Sequence, residues 1–266
     1  TNFTYDHMYR VTAIDQYYNG SATVKHVAAY SYNELGQLVK KSLGYNTGTS
    51  TWIQNADMRY NIRGQLLTIN NSKLANDGGV TSGDSNDLFG IQMLYDKADG
   101  NLGNTPYYNG KLSAVKWMSK DASGTSSYER AFRYYYDQLN RDTAAIYAER
   151  TTASTSPFTT TNGWNENRIT YDANGNLLTL FRDSTSQGSG GHTPIDNLAY
   201  TYDTNNPNQL QKVTDGTGSA YTNSGFRNRT GSTSSYTYDN NGNLTNEPYK
   251  GISAIAYNVL NRTDKI

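Results

Sequence analysis

Two short segments, Asp172-Ala-Asn-Gly-Asn and Asp239-Asn-Asn-Gly-Asn, set oxygen-bearing side chains at alternate positions, as the opening of a calcium loop does. An EF-hand loop also needs Gly at its sixth position and Glu at its twelfth. Counted from Asp172 those positions hold Leu177 and Asp183; counted from Asp239 they hold Leu244 and Lys250. The spacing therefore predicts tight turns rather than metal sites. Other reactive chemistry is thin. The histidines His7, His26 and His192 form no HExxH pair. No Gly-x-Ser-x-Gly elbow occurs, and the chain has no cysteine to supply a thiolate. Carboxylate pairs that cleave glycosides need only proximity in space, and no motif here marks one. The expectation is a protein that is not an enzyme, with no catalytic residue, metal ligand or cofactor.

The same segments belong to a repeat. "TYDANGNLL" at Thr170–Leu178 returns as "TYDNNGNLT" at Thr237–Thr245, and related phrases begin at Tyr5, Tyr32, Tyr60, Tyr108, Tyr136, Tyr171, Tyr202, Tyr238 and Tyr257. Asp or Asn follows each of these nine tyrosines. Gly36, Gly64, Gly175 and Gly242 stand four residues on, and Val11, Leu38, Leu66, Leu177 and Leu244 stand six on. Two residues before each tyrosine the side chain is large (Phe3, Tyr30, Met58, Tyr134, Ile169, Tyr200, Tyr236, Ile255), except at Pro106. Period-two alternation puts both members of a pair on one face of a strand. Asp or Asn then opens a turn, and Asn-Gly is a strong hairpin signal because a tight turn needs positive φ. Each phrase is thus predicted to be a β-hairpin, with the tyrosines and glycines named above as its structural repeat positions.

Spacings between successive phrase tyrosines run 27, 28, 48, 28, 35, 31, 36 and 19 residues. Such unevenness favours one long sheet of hairpins with loops pushed outward over a strictly periodic solenoid. The stretches Asn70–Asp87, Thr151–Asn165 and Asp183–Pro194, rich in Asn, Gly, Ser and Thr, read as flexible insertions. Apolar residues make up 35% and tyrosine numbers 24, so burial is expected to rest on tyrosine rings. Paired tyrosines are expected to form a cross-strand ladder. Of Trp52, Trp117 and Trp164, which lie outside the phrases, Trp164 is the better candidate for a surface contact. With 23 basic and 23 acidic residues, no concentrated positive charge favours nucleic acid. No apolar run approaches the ~20 residues of a membrane helix.

Tyr-Asp-x-x-Gly-(Asn/Arg/Gln)-Leu is the signature of YD repeats, and the chain resembles the Rhs/YD-repeat proteins over nearly its whole length. "DLFGIQMLYD" (Asp87–Asp96), "YYNGKLSAVKW" (Tyr107–Trp117), "YYYDQLNRDTAAIY" (Tyr134–Tyr147) and "KGISAIAYNVLNRTDKI" from Lys250 resemble the Bacteroidota branch. The resemblance implies an all-β fold whose hairpins form a curved, spiralling sheet, part of a hollow shell as in Tc toxins and teneurins. Residues 1–266 would be a single shell segment, a fragment of a larger polypeptide that is secreted or held at the cell surface. Its partners would be the rest of that polypeptide, a type 9 export machinery or an enclosed C-terminal domain, with no nucleic acid and no membrane span. It would enclose cargo or present an adhesive surface; the alternatives are a carbohydrate- or cell-surface-binding adhesin module and the encapsulation wall of a polymorphic toxin. No Asp-Pro dipeptide occurs, and the family's self-cleaving protease is carried over onto no residue here.

Overall fold

The computed structural model describes residues 1–18, 24–75, 87–125, 128–151, 155–160, 163–185, 192–217, 225–228, 231 and 233–266. Close contacts group the chain into two compact units, Thr1–Arg133 with Ala148–Phe158, and Tyr134–Tyr147 with Thr159–Ile266. The first eight strands are β1 (Asn2–Tyr5), β2 (Val11–Tyr17), β3 (Val24–Tyr32), β4 (Leu38–Asn46), β5 (Thr51–Tyr60), β6 (Leu66–Ile69), β7 (Phe89–Leu94) and β8 (Ala114–Ser119). Next come β9 (Tyr128–Tyr136), β10 (Asp142–Thr151), β11 (Glu166–Tyr171), β12 (Leu177–Thr185), β13 (His192–Tyr202) and β14 (Leu210–Asp215). From β1 to β14 the hydrogen-bonded order follows chain order, an antiparallel meander that does not close. Two short hairpins follow, β15 (Thr237–Tyr238) with β16 (Leu244–Asn246), and β17 (Ala256–Tyr257) with β18 (Thr263–Lys265). Among the described residues there is no α-helix, and no helix is long and apolar enough to cross a membrane.

Eight of the nine phrase tyrosines are the last residue of a strand: Tyr5, Tyr32, Tyr60, Tyr136, Tyr171, Tyr202, Tyr238 and Tyr257. Tyr108 is the exception and lies in a turn with 72% of its surface exposed. Its place is taken by Tyr95, directly after β7, whose Met93 occupies the position two before. The phrase here is split. Tyr95 ends the strand, the chain makes an excursion over Asp96–Leu112, and Asn109-Gly110 supplies the turn tip before β8 begins. The insertion separates tyrosine from turn, which accounts for the 48-residue gap and for Pro106 at an apolar position.

The core also differs from a tyrosine-built one. In the first unit the buried apolar cluster is Leu94, Leu102, Ala114, Ala131, Ala148 and Phe158. Alternate residues of β8 (Ala114, Lys116 and Met118) are buried, so one face of that strand is covered. Its alanine shares the buried cluster with the larger side chains of Leu94, Leu102 and Phe158. The phrase pairs Tyr134 with Tyr136 and Tyr200 with Tyr202 are only half-buried. In the second unit Tyr147 and Tyr249 are buried; Tyr249 sits in a short 3-10 turn, with Phe226 and Tyr236 edge-on at 5.3 and 5.2 Å. Its hydroxyl accepts the Val213 N–H, and the Tyr236 N–H donates to the Gln211 carbonyl, which together cap part of the outer edge of β14.

The supposed insertions are anchored at their described ends. Asn70, Ser72 and Asp87 are buried, as are Phe158, Asn165 and Asp183. Asn71 crosses so close above Gly90 that a Cβ there would run into its carbonyl, which is why β7 carries a glycine. The middles, 76–86, 152–154, 161–162 and 186–191, lie outside the described residues.

Turn glycines hold positive φ at Gly36, Gly64, Gly175 and Gly242, and non-glycines hold it at the matching positions Tyr9, Asn140 and Asn261. An added Cβ at Gly242 meets nothing within 4 Å, so the glycine is there for backbone conformation alone. Gly242→Ala should cost about 1–2 kcal/mol, the left-handed penalty of an L-residue. Tyr9→Gly should leave the denaturation midpoint level or raise it.

Candidate functional site

The repeated tyrosine and its turn form the most elaborated constellation in the chain. Within seven hairpins the register shifts just before the tyrosine: Thr4 pairs with Ala13 but Tyr5 with Val11, and Ser31 with Lys40 but Tyr32 with Leu38. The same step precedes Tyr60, Tyr171, Tyr202, Tyr238 and Tyr257. A β-bulge of this kind adds twist and re-aims a side chain. Here it aims a phenol at the hairpin before it.

Seven hydroxyls then donate to the carbonyl of the first residue in the previous return strand. Tyr32 donates to Val11 (3.0 Å), Tyr60 to Leu38 (2.9 Å), Tyr95 to Leu66 (3.1 Å) and Tyr171 to Asp142 (2.9 Å). Tyr202 donates to Leu177 (2.9 Å), Tyr238 to Leu210 (2.6 Å) and Tyr257 to Leu244 (2.9 Å). The need is visible in the ladders between hairpins. β2 pairs with β3 only from Ala13 onward, and β12 with β13 only from Thr179 onward. Val11 and Leu177 thus lack a ladder partner on that side, and the phenol supplies the donor. Burial pushes the hydroxyls of Tyr95, Tyr171, Tyr202 and Tyr238 above their ordinary pKa, so they remain donors well past neutral pH.

The residue after each tyrosine closes the turn with its own side chain. Asp6 Oδ1 accepts the N–H groups of Met8 and Arg10, and Asn33 Oδ1 accepts those of Leu35 and Gln37. Asn61, Asp239 and Asn258 do the same for their turns. The position four further on is chosen by chemistry. Where the turn residue is Asp, its second oxygen receives a donor: Arg10, Arg141, Asn176 or Asn243. Where it is Asn33 or Asn61, the amide donates to Gln37 or Gln65 at 2.8 Å. That fourth residue also reaches the next turn. Arg10 and Arg141 each lie 4.5 Å from the centroid of the following phrase tyrosine, Tyr32 and Tyr171. Gln65 donates to the Gly110 carbonyl, Asn176 to Pro207 and Asn208, and Asn243 to Asn261. Asp121, with no tyrosine before it, builds the same turn, with Ser123 and Thr125 as donors.

The turn carboxylates therefore face their own backbone. Among the described residues no group of three or more His, Asp and Glu side chains could hold a metal. His7 is exposed, His26 sits 2.7 Å from Asp15 and edge-on to Tyr45, and the His192 side chain lies outside what is described. Trp52 packs edge-on against Tyr45, Trp117 stacks on Phe132, and Trp164 is half exposed with φ 62°.

One buried polar cluster was not legible in the phrases. Glu129, 1% exposed, receives Arg150 Nε at 2.8 Å and Ser72 Oγ at 2.8 Å, and Arg150 covers the Phe158 ring. Lys116 bonds Asp99 at 2.8 Å and lies 3.9 Å from Glu129. Burial alone would raise the Asp99 carboxyl, but the Lys116 hydrogen bond and charge, with the Asn101 and Leu102 N–H groups, hold it below its ordinary value. The four charges balance, so the cluster reads as internal bracing.

No family model and no curated protein matches the chain. Among solved structures it is similar to TcdB2-TccC3 without its hypervariable C-terminal region, at 14% identity and TM-score 0.37, over 96% of this chain and 14% of that one. It is also similar to TcdB2-TccC3 (12%, TM-score 0.28, 77% and 12% covered) and to the Photorhabdus luminescens Tc holotoxin pore (11%, TM-score 0.27, 79% and 12% covered). The chain spans about one-seventh of the length of these Tc toxin chains.

Two outcomes follow for the site. Asp172→Asn should lower the melting midpoint by turning the Asn176 amide against another donor, and Asp172→Asn with Asn176→Gln should restore it. On acidification the sign is fixed by the turn aspartates. Asp6 and Asp137 are held low chiefly by backbone N–H groups of Arg10 and Arg141, and Asp172 and Asp239 chiefly by the side chains of Asn176 and Asn243, with backbone N–H groups adding. Their stabilisation is complete above the unfolded value of about 3.9 and is lost as pH falls through the lower folded values. The midpoint should be level from pH 7 to about 5 and fall below about 4. Separately, Glu129→Ala should cost roughly 3–5 kcal/mol by leaving Arg150 buried without its partner.

Proposed function

We propose that this chain is a non-enzymatic structural segment of a large exported bacterial protein of the Rhs/YD-repeat kind, a length of β-shell wall that encloses cargo or presents an adhesive surface. The observation that carries the reading is the seven-fold phenol-to-carbonyl link, which binds hairpin to hairpin by one device. The most repeated chemistry in the chain is consumed in holding its own sheet together, as suits a wall. The curvature and spiral of that wall, its Bacteroidota origin, and its continuation in a longer polypeptide belong to the same proposal. So do the partners: the rest of that polypeptide, a type 9 export machinery or an enclosed C-terminal domain. The wall of a polymorphic toxin is the same architecture with a different cargo.

Surface location is the most exposed part of this reading. Brief protease treatment of intact cells of the source bacterium, followed by mass spectrometry, should release peptides from residues 1–266. Release only after the cells are lysed would overturn the exported assignment.

A further inference from the structure

The junction after Tyr202 also departs from the repeat. Its turn is enlarged: the Asp203 N–H reaches the carbonyl of Gln209, six residues on, where other phrases close on the fourth. The next strand pair, β15–β16, is attached to β14 through the Tyr236 N–H and the Tyr238 hydroxyl. Between the enlarged turn and the Asp239 turn, within the second unit, lies a cleft of about 1050 Å³.

The chemistry of its walls is selective. Asn205, Asn206, Gln209, Gln211 and Asn240 line it, and none of these five side-chain amides has a hydrogen bond among the described residues. Gln209 stands, just before the return strand, where Arg10, Gln37, Gln65, Arg141, Asn176 and Asn243 are bonded to their own turns. Asp203 and Asp239 also border the cleft, but each accepts N–H groups of its own turn. The lining contains no Lys, Arg or His, so nothing there neutralises a phosphate, sulfate or uronate. Besides tyrosine its apolar residues are Leu210 and Pro207, few anchors for a peptide, whose affinity comes from buried apolar and aromatic side chains. Carboxamides offer one acceptor and two donors each, matching adjacent hydroxyls. Tyr236 and Tyr238 add ring surface, the Tyr238 hydroxyl being already given to the Leu210 carbonyl.

We propose that this cleft is a binding site for neutral oligosaccharides, held by the carboxamides of Asn205, Asn206, Gln209, Gln211 and Asn240 beside Tyr236 and Tyr238. The proposal rests on the adhesive side of the functional reading, and a solution binding test is independent of where the protein sits in the cell.

The test is saturation-transfer NMR on the full chain with maltotriose, cellotriose, mannotriose and chitotriose, with trigalacturonate and an extended polar peptide as competitors. At least one neutral trisaccharide should receive saturation. Gln211→Ala with Asn240→Ala, and separately Asn205→Ala with Asn206→Ala, should each weaken its binding tenfold or more at an unchanged melting midpoint. These side chains brace nothing, so both variants should fold. No transfer to any neutral probe, transfer undiminished in both variants, or preference for trigalacturonate or the peptide would each overturn the assignment.

Discussion

A phenol hydroxyl given to a main-chain carbonyl is the contact on which the sheet depends. Strands within a hairpin satisfy each other down to the turn, but neighbouring hairpins part company two residues earlier. A carbonyl left without a partner at a half-buried position is costly, and Val11, Leu38, Leu66, Leu177, Leu210 and Leu244 would each carry one. In six of the seven links a bulge before the tyrosine turns the ring so that its hydroxyl meets that carbonyl; Tyr95 reaches Leu66 just past β7, whose register with β8 is unbroken. Tyrosine is therefore doing what neither phenylalanine nor a backbone amide could do at that distance. The ring fills the widening gap and its tip ends the ladder.

The turn is the second half of the same unit. Asp or Asn follows the tyrosine because one side-chain oxygen must gather two N–H groups. Which of the two stands there bears on the residue four positions on: the carboxylates of Asp6, Asp137, Asp172 and Asp239 take a donor, Arg or Asn, and the carboxamides of Asn33 and Asn61 take Gln, whereas Asn258 is followed by Arg262. The pairing Asp6 with Arg10 and Asn33 with Gln37 shows both solutions in adjacent phrases. Because that fourth residue also touches the following phrase, through a ring in Arg10 and Arg141 or a carbonyl in Gln65, turn chemistry and hairpin stacking are specified together.

Much of this was legible in the sequence, since strand alternation, the Asp/Asn opener and the glycine at positive φ are local signals. Eight phrase tyrosines end strands as the pattern implied. Tyr108 stands in a contiguous phrase, whereas the fold uses Tyr95 and takes only the turn from Asn109-Gly110. The signal was present in Met93-Leu94-Tyr95-Asp96, displaced by an insertion. Tyrosine count is no guide to burial: the buried cluster of the first unit is alanine and leucine with Phe158, and the paired phrase tyrosines Tyr134, Tyr136, Tyr200 and Tyr202 stay half-buried. Ser72, Glu129 and Arg150 could not be joined from sequence. Ser72 and Glu129 are 57 residues apart and Glu129 and Arg150 are 21 apart, so only the fold brings them together. The ends of the polar stretches are anchored for the same reason, by partners distant in the chain.

The most direct measurement is a tyrosine-to-phenylalanine scan by chemical denaturation. Single substitutions at Tyr32, Tyr60, Tyr95, Tyr171, Tyr202, Tyr238 and Tyr257 keep the ring and remove only the donor. Each should lower stability by about 1 kcal/mol, the net worth of a hydrogen bond whose acceptor is left without a partner. Tyr108→Phe should change nothing. Seven variants as stable as the parent, or a loss at Tyr108 with none at Tyr95, would contradict the account.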